Sequence, residues 1–368
     1  MKVIIAGGGT GGHIYPGIAI ANEIKERETA SEILFVGTAY GLETKIIPAH
    51  GLRLKLIRAS GIKGKSITDL IKSVLVIPLG FLQAMQIIFS FRPDIVIGVG
   101  GYASGPTVLC AALLLLPTMV LEQNFYPGMT NRILAKVVKG VAINFESSKQ
   151  FFNKKKVVVT GNPVRKDITK GSKEEALKLW GLRDDQFTLF IFGGSQGARK
   201  INQSVVKALP HFEKYSDLLQ IMHQTGKADF EFVKEGYSRS KIRSYVAPYI
   251  NEMNHAYAVS DLVLCRAGAI TLSEISACGK ASILVPFPYA ANNHQELNAR
   301  VLVEGGAALM ILDRELSGET LAGAVTGLIM ERNKIEEMEK KSIKFSRIDA
   351  TSRIVDECEK LIKAEGFS

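Results

Sequence analysis

Cysteine is scarce in this chain of 368 residues: Cys110, Cys265, Cys278 and Cys358 stand far apart and form no C-x-x-C pair. Such scatter argues against a disulfide framework and a zinc site, and it fits a reducing cytoplasm. Metal signatures are missing as well. There is no D-x-D, no H-E-x-x-H and no Asp/Glu cluster at ligand spacing, so no metal and no cofactor are expected. Long apolar runs are lacking too. The densest, Val74 to Leu82, contains Pro78 and Gly80; it is too short to span a bilayer, and these two residues are expected to break it. The first residues, Met1 to Ala6, read at once as a strand, with no basic and then apolar secretory pattern. No RNP-like strand, zinc knuckle or recognition helix is visible, so nucleic acid is not an expected partner.

What is present is an ordinary globular balance, 46% hydrophobic and 22% charged, long enough for two domains. The net charge of +10 is uneven. Residues 1–163 hold 18 Lys and Arg against 9 Asp and Glu, leaving the remainder almost neutral. Single lysines are most simply a solvated surface, but a surplus confined to one half points to a polyanion such as acidic lipid headgroups. Lys63, Lys65 and Lys72 precede the apolar stretch that runs on to Phe91. That stretch reads either as a buried core helix or as an interfacial patch with a basic fringe.

Short apolar strands alternate with helical spacing throughout, which predicts parallel α/β sheets. In the first half they are Val3–Ala6, Ile33–Val36, Ile95–Val99, Thr118–Glu122 and Val141–Asn144. In the second they are Thr188–Phe192, Leu219–His223, Leu262–Cys265 and Ser282–Val285. Lys154 to Pro163 reads as the end of the first domain. Each half opens in the same way, with a strand, a glycine-rich turn and a helix. The fold class expected is therefore two Rossmann-like, doubly wound parallel-sheet domains facing across a cleft, with ligands at the carboxyl ends of the strands.

The first turn, Gly7-Gly8-Gly9-Thr10-Gly11-Gly12-His13, satisfies G-x-G-x-x-G. A nicotinamide site would also want an acidic residue ending the second strand, and Val36 is followed by Gly37-Thr38. A diphosphate is the better candidate. His13, at the helix start, is a credible general base whose pKa the positive helix end lowers; a structural cap is an equal reading. The second turn, Gly193-Gly194-Ser195-Gln196-Gly197-Ala198, is not closed by Gly-Lys-Ser/Thr, which argues against ATP hydrolysis. Ser195 can offer a hydroxyl and an N–H to phosphate. Arg266 to Glu274 forms a third strand–helix turn. There Glu274 either holds ribose hydroxyls or complements the helix dipole. His294 to Asn298 supplies amides suited to sugar hydroxyls.

Seven segments in order resemble the MurG transferases of glycosyltransferase family 28, which add N-acetylglucosamine (GlcNAc) to a lipid-linked peptidoglycan precursor. They are Gly7–His13, Gly98–Pro106, Glu122–Asn131, Thr160–Arg165, Gly193–Ala198, Arg266–Glu274 and His294–Asn298. The resemblance implies a GT-B fold, with residues 1–163 and 346–368 as the acceptor- and membrane-binding domain and 164–345 as the UDP-GlcNAc domain. A last helix near Ala350–Lys363 would return to the first domain. Carried over by position, Ser195 meets the UDP phosphates, Ile250 the uracil and Glu274 the ribose. Ala269, Ile270, Thr271, Leu272 and Ser273 line the nucleotide pocket, and Gln295 and Asn298 meet the sugar. Asn124, Arg165, Thr10, Gly11 and Gly12 complete the donor side, and the same loop is implied to receive the acceptor's diphosphate. Gly9, Tyr102, Glu122 and Asn131 fall on the acceptor side, and His13 is the catalytic candidate. One departure stands out, since relatives usually carry His where this chain has Leu121.

The reaction implied moves GlcNAc, with inversion, from UDP-GlcNAc to the muramyl 4-hydroxyl of lipid I, giving lipid II. It implies a peripheral protein on the cytoplasmic face of the bacterial inner membrane, with an anionic membrane surface and other cell-wall synthesis proteins as partners. Rival expectations are a diacylglycerol glycosyltransferase, a UDP-GlcNAc 2-epimerase, or a nucleotide-binding membrane scaffold without catalysis.

Overall fold

The structure, a computed structural model, describes residues 1–59 and 67–366, with residues 67–77 by their backbone alone. The chain divides into two compact units, Met1–Val164 with Arg347–Ser368, and Arg165–Ser346. Unit 1 runs β1 (Lys2–Gly7), α1 (Gly11–Arg27), β2 (Glu32–Gly37), α2 (Glu43–Ala49), β3 (Arg53–Leu56), α3 (Ile67–Phe91) and β4 (Ile95–Gly100). It continues with α4 (Ser104–Leu113), β5 (Thr118–Glu122), α5 (Met129–Leu134), β6 (Gly140–Ile143) and β7 (Val157–Val159). Unit 2 runs α6 (Lys173–Trp180), β8 (Phe187–Phe192), α7 (Arg199–Phe212), β9 (Leu219–Gln224), α8 (Phe230–Ser238), β10 (Arg243–Ala247) and α9 (Met253–Val259). It ends with β11 (Leu262–Cys265), α10 (Ala269–Ala277), β12 (Ser282–Leu284), α11 (His294–Glu304), β13 (Ala308–Met310), α12 (Gly318–Met330) and α13 (Arg332–Ser342). The last helix, α14 (Ala350–Ala364), belongs to unit 1.

Both sheets are parallel throughout. The orders are β3-β2-β1-β4-β5-β6-β7 and β10-β9-β8-β11-β12-β13. Each therefore reverses direction once, between β1 and β4 and between β8 and β11. At such a point neighbouring connections leave to opposite faces and open a crevice at the strands' carboxyl ends.

Alternation along β1 decides which face each helix covers. Ile4 and Ala6 point to the side of α3, α4 and α5, with Ala84, Ile88, Val108 and Leu134. Val3 and Ile5 point to the side of α1 and α14, with Ile14, Ile18, Ile354, Val355 and Cys358. Leu121 lies in this second cluster, 3% exposed, so the position where relatives carry His faces the packed interior of unit 1. In unit 2 the strands bury Leu189, Ile191, Leu262 and Leu264 against α7, α8 and α12. Phe190 and Phe192 meet Tyr257 of α9 on the other side.

One local expectation is corrected. Pro78 and Gly80 do not break the apolar stretch; α3 runs through both. A proline removes one donor, and Gly80 lets the helix approach the Arg58 carbonyl, which a Cβ would meet at 2.1 Å. Lys63 and Lys65, and the side chains of Lys72 and of Val74 to Ile77, lie outside the described residues. Among the described residues no helix is long and apolar enough to cross a membrane.

Candidate active site

In unit 1 the first glycine turn sits at the sheet's switch point, because it follows β1 and is flanked by the end of β4. The two strand ends are interlocked. The N–H of Gly8 donates to the Gly100 carbonyl at 3.2 Å, and Ser104 Oγ donates to the Ala6 carbonyl at 3.0 Å. Gly101, at φ +84°, brings its backbone so close to Gly8 that a Cβ would lie 2.3 Å from the Gly8 oxygen. Only glycine fits there. Thr10 is the N-cap of α1 in extended geometry, yet its side chain caps nothing. The N–H groups of Gly11 and Gly12, in the first turn, have no intrahelical acceptor by construction. This is the arrangement that receives phosphate.

His13 follows directly, as the third residue of α1. Its Nδ1 is 3.1 Å from the Gly8 carbonyl, which can only accept. The proton of the neutral ring is therefore on Nδ1 and the lone pair on Nε2. Gly100 leaves space for the ring, since a Cβ there would meet it at 2.6 Å. The imidazole is thus held by both glycine-rich strand ends.

Tyr102, 59% exposed, stands just after β4. Glu122 and Asn131 do not line a surface. They are 3% and 4% exposed and bond to each other. The Glu122 carboxylate also takes the N–H groups of Asn124 and Gly128, so it organises the 122–131 loop from inside. Burial pushes its pKa above the usual carboxylate range. Asn124, half-buried, is held by this same carboxylate. Gly9 is exposed, but its N–H turns inward to Glu43, a residue that sequence reasoning missed.

Unit 2 repeats the design. Gly194 and Gly197 take positive φ, and a Cβ on Gly197 would fall 2.0 Å from the Thr225 carbonyl. The loop is therefore pressed onto the end of β9. Ser195 is exposed at its tip, and neither α7 nor α10 has a side-chain cap at its start. Beneath the loop, His223 is fully buried between Asn202 at 3.1 Å and Tyr237 at 3.2 Å. Burial pushes its pKa down to about 3. Asn202 in turn donates to the Thr225 carbonyl, so this polar chain supports the loop from below.

Gln224, also missed from sequence, bridges two of the expected contacts. Its Nε2 donates to the Gly194 carbonyl at 3.1 Å, and its Oε1 accepts from the Ile250 N–H at 2.9 Å. Ile250 itself is 2% exposed. Along α10, Ala269, Leu272 and Glu274 are buried while Ile270, Thr271 and Ser273 are half-buried. Glu274 accepts from Arg165 Nε at 3.0 Å and from the Tyr257 hydroxyl at 3.3 Å. Burial raises its pKa, and the Arg165 charge offsets this only in part. The structure thus joins two residues assigned to separate contacts into one ion pair. Gln295 Oε1 accepts from the Phe287 N–H, and Asn298 is fully buried against the Ala267 carbonyl. Among the described residues no cluster of three or more His, Cys, Asp or Glu is placed to hold a metal.

Solved structures share this architecture over the whole chain. A UDP-GlcNAc 2-epimerase from Neisseria meningitidis bound to UDP-GlcNAc superposes at a TM-score of 0.68 with 15% identity, covering 98% of this chain and 100% of its own; that likeness speaks for the fold alone. The crystal structure of Acinetobacter baumannii MurG superposes at 0.80 with 30% identity, covering 98% of this chain and 99% of its own. Two parallel-sheet units, each with a glycine turn and an uncapped helix start at its switch point, define the fold as GT-B, and the match to the MurG structure makes the class a glycosyltransferase.

Models of the glycosyltransferase family 28 N-terminal and C-terminal domains match residues 3–143 and 188–354. The UDP-N-acetylglucosamine–N-acetylmuramyl-(pentapeptide) pyrophosphoryl-undecaprenol N-acetylglucosamine transferase of Thermodesulfovibrio yellowstonii is 46% identical over 363 residues, 99% of both chains. The chain belongs to glycosyltransferase family 28, and within it to the MurG transferases.

Proposed function

We infer that the chain transfers GlcNAc from UDP-GlcNAc to the 4-hydroxyl of the muramyl sugar of lipid I, forming lipid II. The observation that carries this reading is the duplicated phosphate-receiving turn, in a chain 46% identical, end to end, to a transferase of that name. Unit 2 is the donor side. The loop around Ser195 and the starts of α7 and α10 offer N–H groups to the departing diphosphate, and Arg165 adds positive charge as it develops. Ile250, Glu274 with its partner Arg165, Gln295 and Asn298 are the donor-reading residues. Unit 1 is the acceptor side, where Gly11 and Gly12 receive the lipid-linked diphosphate and Tyr102 stands exposed nearby. His13 is the general base, taking the hydroxyl proton on Nε2 as the oxygen attacks the anomeric carbon in line.

The same unit carries the membrane contact. Leu79, Leu82 and Phe89 of α3, Leu113 and Leu115 at the end of α4, and Met129, Ile133 and Val137 around α5 are exposed. Arg132, Lys136 and Lys139 lie exposed among them. An apolar face with a basic fringe suits a peripheral seat on anionic lipid.

The deciding experiment follows labelled GlcNAc from its UDP donor to a short-chain lipid I analogue, with and without EDTA. Chelator-insensitive transfer to the analogue is expected. Formation of N-acetylmannosamine from UDP-GlcNAc alone would identify an epimerase instead.

A further inference from the structure

Under the first glycine turn lies a carboxylate with no cationic partner among the described residues. Glu43 opens α2 and is 1% exposed. Its Oε2 accepts the Gly9 N–H at 2.7 Å, and its Oε1 accepts the N–H and the hydroxyl of Thr38, both at 2.9 Å. The surrounding backbone is shaped to admit it. A Cβ at Gly8 would fall 2.4 Å from the Glu43 carboxyl carbon, one at Gly37 2.7 Å from its Cγ, and one at Gly41 would overlap Oε2 outright. The phosphate turn, the end of β2 and the approach to α2 therefore close around one side chain. Burial opposes ionisation, but the donors from Gly9 and Thr38 outweigh it and hold the pKa below the usual carboxylate range.

Keeping an unpaired anion inside a unit is costly unless its donors compensate it, and an apolar residue would avoid the cost altogether. The arrangement has a specific effect on the turn. Glu43 and a diphosphate are rival acceptors for the same set of N–H groups. By taking Gly9, Glu43 removes that donor from the ligand side although Gly9 itself is exposed. By its charge it repels phosphate from the Gly8–Gly9 end. The donors left are those of Gly11 and Gly12, beside His13.

We propose that Glu43 is a positioning residue: its carboxylate pins Gly9 inward and so sets where along the first glycine turn the acceptor's diphosphate is held. This deepens the transferase reading and rests on it. The register matters because the diphosphate sits directly on the muramyl sugar. A shift of one donor along the turn moves the attacking hydroxyl relative to His13.

The test compares wild type with Glu43→Gln and Thr38→Val in the GlcNAc transfer assay, together with hydrogen–deuterium exchange of the peptide covering residues 7–13. In wild type the Gly9 amide should exchange slowly despite its exposure. Glu43→Gln places an amide NH2 against one set of donors. It should release Gly9 exchange and, with the diphosphate free to shift toward the released Gly9 N–H, lower kcat with the lipid I analogue about tenfold, with KM for UDP-GlcNAc unchanged. Thr38→Val keeps the carboxylate and its bond to Gly9, and should leave both readouts near wild type. A fast-exchanging Gly9 amide in wild type overturns the proposal whatever the variants do, even if Glu43→Gln fails to fold. So does an unchanged kcat, or an equal rise in the KM values of both substrates. Exchange is read without turnover, so a wild-type chain that transfers no sugar would refute the transferase reading and leave the Glu43–Gly9 contact separately tested.

Discussion

His13 is held at Nδ1 by the Gly8 carbonyl, so its replacement separates chemistry from binding. His13→Ala should lower kcat by about 10²–10⁴-fold, the usual reach of a general base. Donor KM and the thermal midpoint should stay close to wild type. Near-normal turnover in a folded variant would remove His13 from the reaction. His223 shows a different residue-scale effect. Its folded pKa, near 3, lies below the ordinary value of 6.5. The neutral ring is therefore favoured in the folded chain, and its contribution is complete above about pH 6.5. Below that the unfolded chain takes up the proton first, and stability falls by up to about 1.4 kcal/mol per pH unit until the folded pKa is reached. Denaturant titrations of wild type and His223→Gln should differ most at pH 7 and converge toward pH 4. A difference that stays constant with pH would refute the linkage. At this scale the sequence was partly legible. The glycine turns and His13 stand in contiguous motifs whose chemistry can be read locally. Glu43 and Gln224 do not, because their meaning lies in contacts made 34 and 30 residues away, to Gly9 and Gly194.

Among the elements, the central strands were readable because two neighbours and two covered faces demand an unbroken apolar run. The four strands missed are β3, β7, β10 and β13, and these are the outermost strands of the two sheets. An edge strand has one partner and an open side, so its composition is mixed; Arg53–Leu56 is exposed at three of four positions. Helix α14 is held to α1 by a polar clasp as well as by its apolar face. Arg27 reaches Asp356 at 2.6 Å, Glu359 at 3.2 Å, and both the hydroxyl and the carbonyl of Ser352. Arg27 is exposed, so solvent screens much of this. Arg27→Ala should cost about 1 kcal/mol. Hydrogen exchange in α14 should quicken while α7 and α12 stay protected. Uniform quickening across both units would show that the clasp is not local.

For the molecule as a whole, the uneven charge and the exposed apolar side chains of α3, α4 and α5 fall in the same unit. Flotation with vesicles containing anionic lipid should capture the chain, and salt should release it, since exposed charges are screened beyond a Debye length of about 8 Å at physiological strength. Equal capture by neutral vesicles at every salt level would leave only the apolar contribution.

The return of α14 to unit 1 has a consequence for how the chain is made. Arg165–Ser346 is in effect an insertion in the body formed by residues 1–164 and 347–366. During synthesis the inserted body has all its parts before the host does, because Ile354, Val355 and Cys358, which help to roof a sheet face of the host, follow the whole inserted body in the chain. The order of maturation is thus inner body first and outer body last, against the usual N-terminal-first sequence. A nascent chain stalled short of Arg347 would hold a finished inner body and an outer body in which α1 alone covers the sheet face that it otherwise shares with α14.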